Sequence, residues 1–286
     1  MDTHTDSARW WGERTLAEGE RLHGRLGTLE LWLERGPREW LATTRHGDDE
    51  TRTPRLEQPW EGTVPEHDEQ TIFAERFAFR RTGDRLQLLP AMPPRPVVVH
   101  TATPLVIPGG EEATVYISLP LWLRASAGGE LLLDVPVVRQ SDTWFGAITG
   151  PGELCYASRS RGRLRLEDLP ATPLRARAAI HVRNSAAGAL PIDGLRLPAP
   201  FLSLYADGAG QLWTESVLVD HEQEGEMAAL DYGAGPPREA AGAERVAGPR
   251  NAPERRALVH TFSSLIRGGF DALRHSRSRS AGVVDH

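Results

Sequence analysis

Apolar and polar residues alternate with a period of two along most of this chain. From Val115 the odd positions read Val115, Ile117, Leu119, Leu121 and Leu123, and the even positions read Tyr116, Ser118, Pro120, Trp122 and Arg124. Side chains on a strand point alternately to opposite faces, so the spacing predicts a strand with one buried face. Pro120 has no amide donor and predicts a sheet edge or a bulge at that point. The preceding Pro104–Ile107 reads as another strand, turned by Pro108-Gly109-Gly110. Leu29, Leu31 and Leu33 alternate with Glu30, Trp32 and Glu34, and Arg35-Gly36-Pro37-Arg38 turns them into Glu39–Thr44 as a β-hairpin. Ile72–Arg80 and Arg85–Leu89 flank Thr82-Gly83-Asp84 and read as a second hairpin. Ala176, Ala178, Ile180 and Val182 alternate with Arg175, Arg177, His181 and Arg183. Leu202–Tyr205 and Gln211–Val219 are joined by a turn at Asp207-Gly208. Near the start, Trp10, Trp11 and Leu16 suggest a short helix or a flap that lays its aromatics on the body.

Strands at this spacing, punctuated by turn residues, predict an all-β fold of sandwich or barrel-like units. The stiff run PAMPPRP at Pro90–Pro96 sets an internal boundary between an N-terminal β-rich unit at 1–90 and a sandwich-like domain at 91–232. At 233–253 the composition shifts to GAGPPREAAGAERVAGPRNAP, which predicts a flexible linker. An amphipathic helix is expected at 254–274, with Leu258, Val259, Phe262, Leu265, Ile266, Phe270 and Leu273 on one face. Helix Glu254–Leu273 would pack back on the sheet, dock a protein partner or a second copy, or lie on a membrane surface. The Arg/Ser-rich tail at 275–286 is expected to be disordered.

Composition narrows the chemistry. The formal charge is −6 over 286 residues, so no nucleic-acid partner is expected, since such binding needs a basic surface. All 33 basic residues are Arg. Without Lys there is no Schiff-base lysine, no P-loop lysine and no kinase strand lysine. Together with abundant Ala, Gly and Pro, the Arg usage points to a GC-rich prokaryotic genome. Cys155 is the one cysteine, so neither an internal disulfide nor a cysteine-rich zinc site is expected. A nucleophilic Cys155 would need a basic neighbour to lower its pKa, and a buried small hydrophobe is the default. The polar start of the chain lacks the apolar core of a signal peptide, and no apolar run reaches the ~20 residues of a membrane span. A cytoplasmic location is the expectation. No G-x-S-x-G elbow and no complete G-x-G-x-x-G is present, and no cofactor is expected.

Two spaced pairs are candidates for ligand contact. Asp142 and Trp144 lie two apart, as do Trp213 and Glu215, and such pairs share a strand face. If the strands were neighbours, two indoles and two carboxylates would line one groove, an arrangement suited to carbohydrate. The plainer reading has the indoles packing and the acids capping turns or pairing with Arg. Arg175, Arg177, His181 and Arg183 form a basic stripe that could hold an anion, although acids on neighbouring strands are the plainer partners. Asp220, His221, Glu222, Glu224 and Glu226 could hold a divalent cation, but they match neither HExxH nor an EF-hand loop and read as a charged hairpin tip.

The pieces SLPLWLR, SDTWFG, GELCYAS, LSLY and LWTE, within residues 10–232, resemble an uncharacterised prokaryotic domain-of-unknown-function family. The resemblance implies a self-contained domain type and no activity. The expected function is therefore that of a non-enzymatic binding or scaffold protein using β-sheet faces and the C-terminal helix. The alternative is a carbohydrate- or phosphate-ester-active enzyme built on Asp142 and Glu215.

Overall fold

The computed structural model describes residues 9–49, 53–65, 71–146, 152–222, 227–252, 257–260 and 262–263. It is nearly all β, and no described helix exceeds a single short 3-10 turn. The strands in chain order are β1 (Gly12–Thr15), β2 (Arg21–Leu26), β3 (Leu29–Arg35), β4 (Glu39–His46), β5 (Arg55–Glu57), β6 (Thr71–Ala78), β7 (Arg85–Ala91) and β8 (Val97–Ile107). They continue with β9 (Glu112–Pro120), β10 (Trp122–Ala127), β11 (Glu130–Pro136), β12 (Ser141–Gly146), β13 (Gly152–Ala157), β14 (Arg175–Asn184) and β15 (Leu190–Leu197). The last are β16 (Leu204–Ala206), β17 (Leu212–Trp213), β18 (Val217–His221), β19 (Met227–Tyr232), β20 (Glu244–Ala247), β21 (Ala257–His260) and β22 (Phe262–Ser263).

Four sheets result. The first two have orders β1-β7-β10-β11 and β5-β2-β3-β4-β6. The third is β12-β13-β8-β15-β22, and the fourth runs β20-β16-β17-β14-β18-β19-β21 with β9 on the free side of β14. Leu29, Leu31 and Leu33 of β3 join Leu123 and Ala125 of β10, Val115, Ile117 and Leu119 of β9, and Ala176, Ala178 and Ile180 of β14 in one continuous core. The period-two faces of the sequence are the faces buried here. The β3–β4 hairpin forms as expected, with Leu33 opposite Ala42. Pro120 ends β9, an edge strand whose ladder partner is β14, and the chain then leaves that sheet for β10. Trp10 and Trp11 are buried and lead into a strand, so the flap reading holds and the helix does not.

Three expectations are corrected. Ile72–Arg80 and Arg85–Leu89 do not make a hairpin: β6 pairs with β4, and β7 pairs with β1 and β10. The residues between them cross from one sheet to the other, anchored where Thr82 Oγ1 donates to the Gly36 carbonyl at 2.6 Å and Arg35 Nε donates to Thr82 Oγ1 at 3.1 Å. The segment expected as a linker carries β20, which pairs with β16. Its Arg250 donates to both oxygens of Asp134 at 2.5 and 2.6 Å and to the Met92 carbonyl at 2.5 Å, tying this segment to β11. The helix expected at 254–274 is replaced, where described, by β21 against β19 and β22 against β15. Val259 and Phe262 are strand formers, the apolar run fits either period over so short a stretch, and the edge of β19 offers a ladder to its amides. The other positions of that helix and the tail at 275–286 lie outside the described residues. No described helix is long and apolar enough to cross a membrane.

Candidate functional site

Asp142 and Trp144 do share a face of β12, an edge strand, where they oppose Tyr156 and Leu154 of β13. Asp142 pairs with Arg95 at 3.3 Å, and the Arg95 guanidinium lies 5.3 Å from the Tyr156 ring centroid. Trp144 is half exposed and lies across Gly152, where a Cβ would sit 2.4 Å from the indole. Trp213 ends β17 in a different sheet, Glu215 lies in the connection from β17 to β18, and both are buried. Trp213 Nε1 donates to Asp207 Oδ2 at 3.0 Å, and Arg177 stacks over the indole at 5.5 Å. Glu215 accepts from the Ser203 amide at 2.8 Å and its hydroxyl at 3.2 Å. Burial pushes its pKa up, against the pull of those hydrogen bonds and of Arg245. The two carboxylates thus have separate partners, Arg95 in the segment before β8 and Ser203 in the segment before β16.

The basic stripe of β14 divides in the same way. Arg183 lies 3.7 Å from Glu112 and 3.9 Å from Asp220, the acidic partners expected on adjacent strands. His181 Nδ1 is 2.9 Å from Thr114 Oγ1. Arg175 instead donates to Ser118 Oγ at 2.8 Å, the Ser118 carbonyl at 2.7 Å, Ser158 Oγ at 3.3 Å and Ser160 Oγ at 3.0 Å. Burial and the neighbouring Arg159 charge bring its pKa down to about 10. Arg177 donates to the Leu169 carbonyl at 3.0 Å. Both arginines therefore hold the 158–169 segment across this face. Within the acidic run, His221 Nδ1 is 3.1 Å from Asn184 Oδ1, while 223–226 lie outside the described residues. Cys155 is buried, and burial with the nearby Glu153 charge pushes its thiol up to about 11 against the pull of Arg196, the reverse of activation.

One polar network went unread in the sequence. On the outer face of the β2–β3–β4 sheet, His23 Nε2 is 2.9 Å from Glu30 Oε1, and Arg45 reaches Glu30 Oε2 at 2.7 Å. Arg25 Nε adds a contact to Glu30 at 3.3 Å. His23 stacks on Trp32 at 5.3 Å and meets Trp60 at 4.9 Å. Burial pushes Glu30 up, but donors from Arg45, His23 and Arg25 outweigh it and hold the carboxyl below its ordinary range. His46, on the opposite face of β4, bonds Thr28 Oγ1 at 2.8 Å through Nδ1. Burial and the Arg139 charge lower its pKa to about 4. The signal for the network was the polar half of the β3 alternation, Glu30 and Trp32, opposite His23 and Arg25.

An open concavity with charged walls lies elsewhere, distinct from a smaller one lined by Arg163, Arg165 and Asp168. A cleft of about 510 Å³ lies between the β1–β7 edge and the β16–β17 turn with β20. Its lining includes Arg9, Trp11, Gln87, Asp207, Glu244 and Arg245. The turn is built by Asp207, whose Oδ1 accepts the amides of Ala209 at 3.0 Å and Gln211 at 2.9 Å. Gly210 follows at φ +78°, in the left-handed region that glycine tolerates without strain. Trp213 holds the other Asp207 oxygen, so two sequence candidates, Trp213 and Arg177 stacked on it, support this rim from behind. Arg9 lies over the Trp11 ring at 5.8 Å. Arg9 and Arg245 have no carboxylate at ion-pairing distance among the described residues, in contrast to Arg21, Arg25, Arg45, Arg95, Arg183 and Arg250.

Residues 10–267 match the profile of DUF432, described as a protein of unknown function. The chain belongs to the DUF432 family. No curated protein and no solved structure matches it. The DUF432 match covers strands of all four sheets, so the cleft is built wholly from the family region apart from Arg9.

Proposed function

We propose that this DUF432 protein is a non-enzymatic binding protein whose ligand site is the cleft between the β1–β7 edge and the β16–β17 turn, acting in the cytoplasm of a prokaryote. The observation that carries the reading is the gathering of exposed charge in one concavity: Arg9, Glu244 and Arg245 line the cleft, and none of them has an ion pair among the described residues, unlike Arg21, Arg45 and Arg250. Solvated polar groups gathered in a concavity are what a small ligand needs for orientation. Of the two acids within it, Asp207 accepts from three donors and serves to shape the turn. Asp142 and Glu215 lend no support to the enzyme alternative, because each is held by its own partner, Arg95 for Asp142 and Ser203 for Glu215.

Gly208 provides the test. A Cβ added there meets nothing within 4 Å, so Gly208→Phe fills open space in the cleft and leaves the turn intact. Ligand-observed NMR with a panel of small polar molecules should give binders that Gly208→Phe abolishes at an unchanged melting temperature. Binders that Gly208→Phe leaves untouched would place the site on another surface.

A further inference from the structure

We propose that the cleft takes a small hydroxylated anion, with its anionic group between Arg9 and Arg245 and its hydroxyls on Glu244 and Gln87. The inference rests on the cleft being the ligand site and adds the chemistry of the ligand. Arg9 and Arg245 both line the cleft, and neither has a carboxylate at ion-pairing distance among the described residues, although the Arg245 charge is felt by the buried Glu215. Arg9 is steered by its stacking on Trp11 at 5.8 Å. A planar guanidinium offers paired N–H donors matched to carboxylate or phosphate oxygens, so two of them on one cleft favour an anion over a neutral group.

Glu244 supplies the second half of the specificity. It is exposed, lines the same cleft and has no ion pair among the described residues. A free carboxylate repels a bare anion and accepts hydrogen bonds from hydroxyl groups, so the ligand must carry both kinds of group. Gln87 adds an amide that both donates and accepts. Asp207 makes no ion pair with Arg245; its oxygens accept from the Ala209 and Gln211 amides and the Trp213 indole. The open position at Gly208 leaves room over the turn. The volume of about 510 Å³ lies within the range of small-molecule sites.

The test is calorimetric titration of the full chain with four probes: glucose, inorganic phosphate, glucose 6-phosphate and glucuronate. At least one of the two charged sugars should bind at least tenfold tighter than both glucose and inorganic phosphate, and its affinity should fall as salt is raised. Glucose 6-phosphate ahead of glucuronate identifies a phosphate as the anion; the reverse order identifies a carboxylate. Arg9→Ala and Arg245→Ala should each weaken the charged sugar at least tenfold, and Glu244→Gln severalfold, all with an unchanged melting temperature. Equal binding of glucose and the charged sugars, or binding indifferent to Arg245→Ala, overturns the anion assignment. If that binding is still lost in Gly208→Phe, the cleft remains the ligand site. If none of the four probes binds, the proposal fails, and the cleft reading is decided by the wider Gly208→Phe screen.

Discussion

The outer face of the β2–β3–β4 sheet and the β7–β20 cleft use the same residue types to opposite ends. On the sheet, Glu30 is shared by His23, Arg25 and Arg45, and Trp32 and Trp60 flank the imidazole. Every charge there has an opposite charge beside it, and the carboxylate is largely removed from water. In the cleft, Arg9, Arg245 and Glu244 stand in solvent, and the paired acid, Asp207, is spent on a turn. A buried polar group must be matched within the fold or it costs stability. A solvated one is free to match something else. On the proposed reading, pairing, more than residue type, separates structure from recognition.

The sharpest way to break the comparison is Glu30→Ala. Removing the shared carboxylate leaves His23 and Arg45 without it, and loss of one partner of a buried pair costs ~3–5 kcal/mol. Denaturant melts should show a loss of that order with ligand affinity of the folded protein unchanged. A loss below about 1 kcal/mol, the range of exposed pairs, would mean the network is not the structural member of the contrast.

Acid titration comes next in size. His46 has a folded pKa lowered to about 4 from an ordinary 6.5. The unfolded chain therefore binds its proton first, and the stability present above about pH 6.5 is lost as pH falls towards 4, by up to ~3 kcal/mol. His46→Asn should flatten the decline of the melting temperature across that window. An unaltered slope would assign the acid sensitivity to other groups.

How far these regions could be read in advance follows from how local each one is. The strand faces at Leu29–Leu33, Val115–Leu123 and Ala176–Val182 were legible because a period of two is written in adjacent residues. The partner of each strand was not. β6 and β7 are neighbours in the chain and lie in different sheets, and β10 and β11 join β7 across the boundary drawn at residue 90. The Asp207-Gly208 turn was legible from its residue types. The cleft it borders was not, since Arg9, Gln87 and Arg245 come from distant segments that only sheet pairing assembles. Trp213 was singled out for the wrong reason: its indole holds Asp207 in place instead of covering a sugar face. The apolar run at 257–263 fitted a helix in isolation, and pairing with β19 and β15 decided for strand.

Two smaller effects sharpen the contrast. Arg245→Ala removes an exposed group with no ion pair at contact distance, whose one electrostatic link is its pull on Glu215, and should change stability by no more than ~0.5 kcal/mol, as for surface positions. A larger destabilisation would show that Arg245 has a structural partner after all. Cys155, held up at about 11 by burial and Glu153, should react with a thiol reagent only after denaturant is added. Rapid labelling of the native protein would show that β13 opens readily.

The central claim is that solvated, unpaired charge marks the ligand site. Amide chemical-shift mapping with a bound ligand tests it most directly. The account predicts perturbations concentrated at Trp11–Gly12, Gln87–Leu89, Asp207–Gln211 and Gly242–Val246. Perturbations centred instead on His23, Trp32 and Trp60, with the cleft silent, would contradict it.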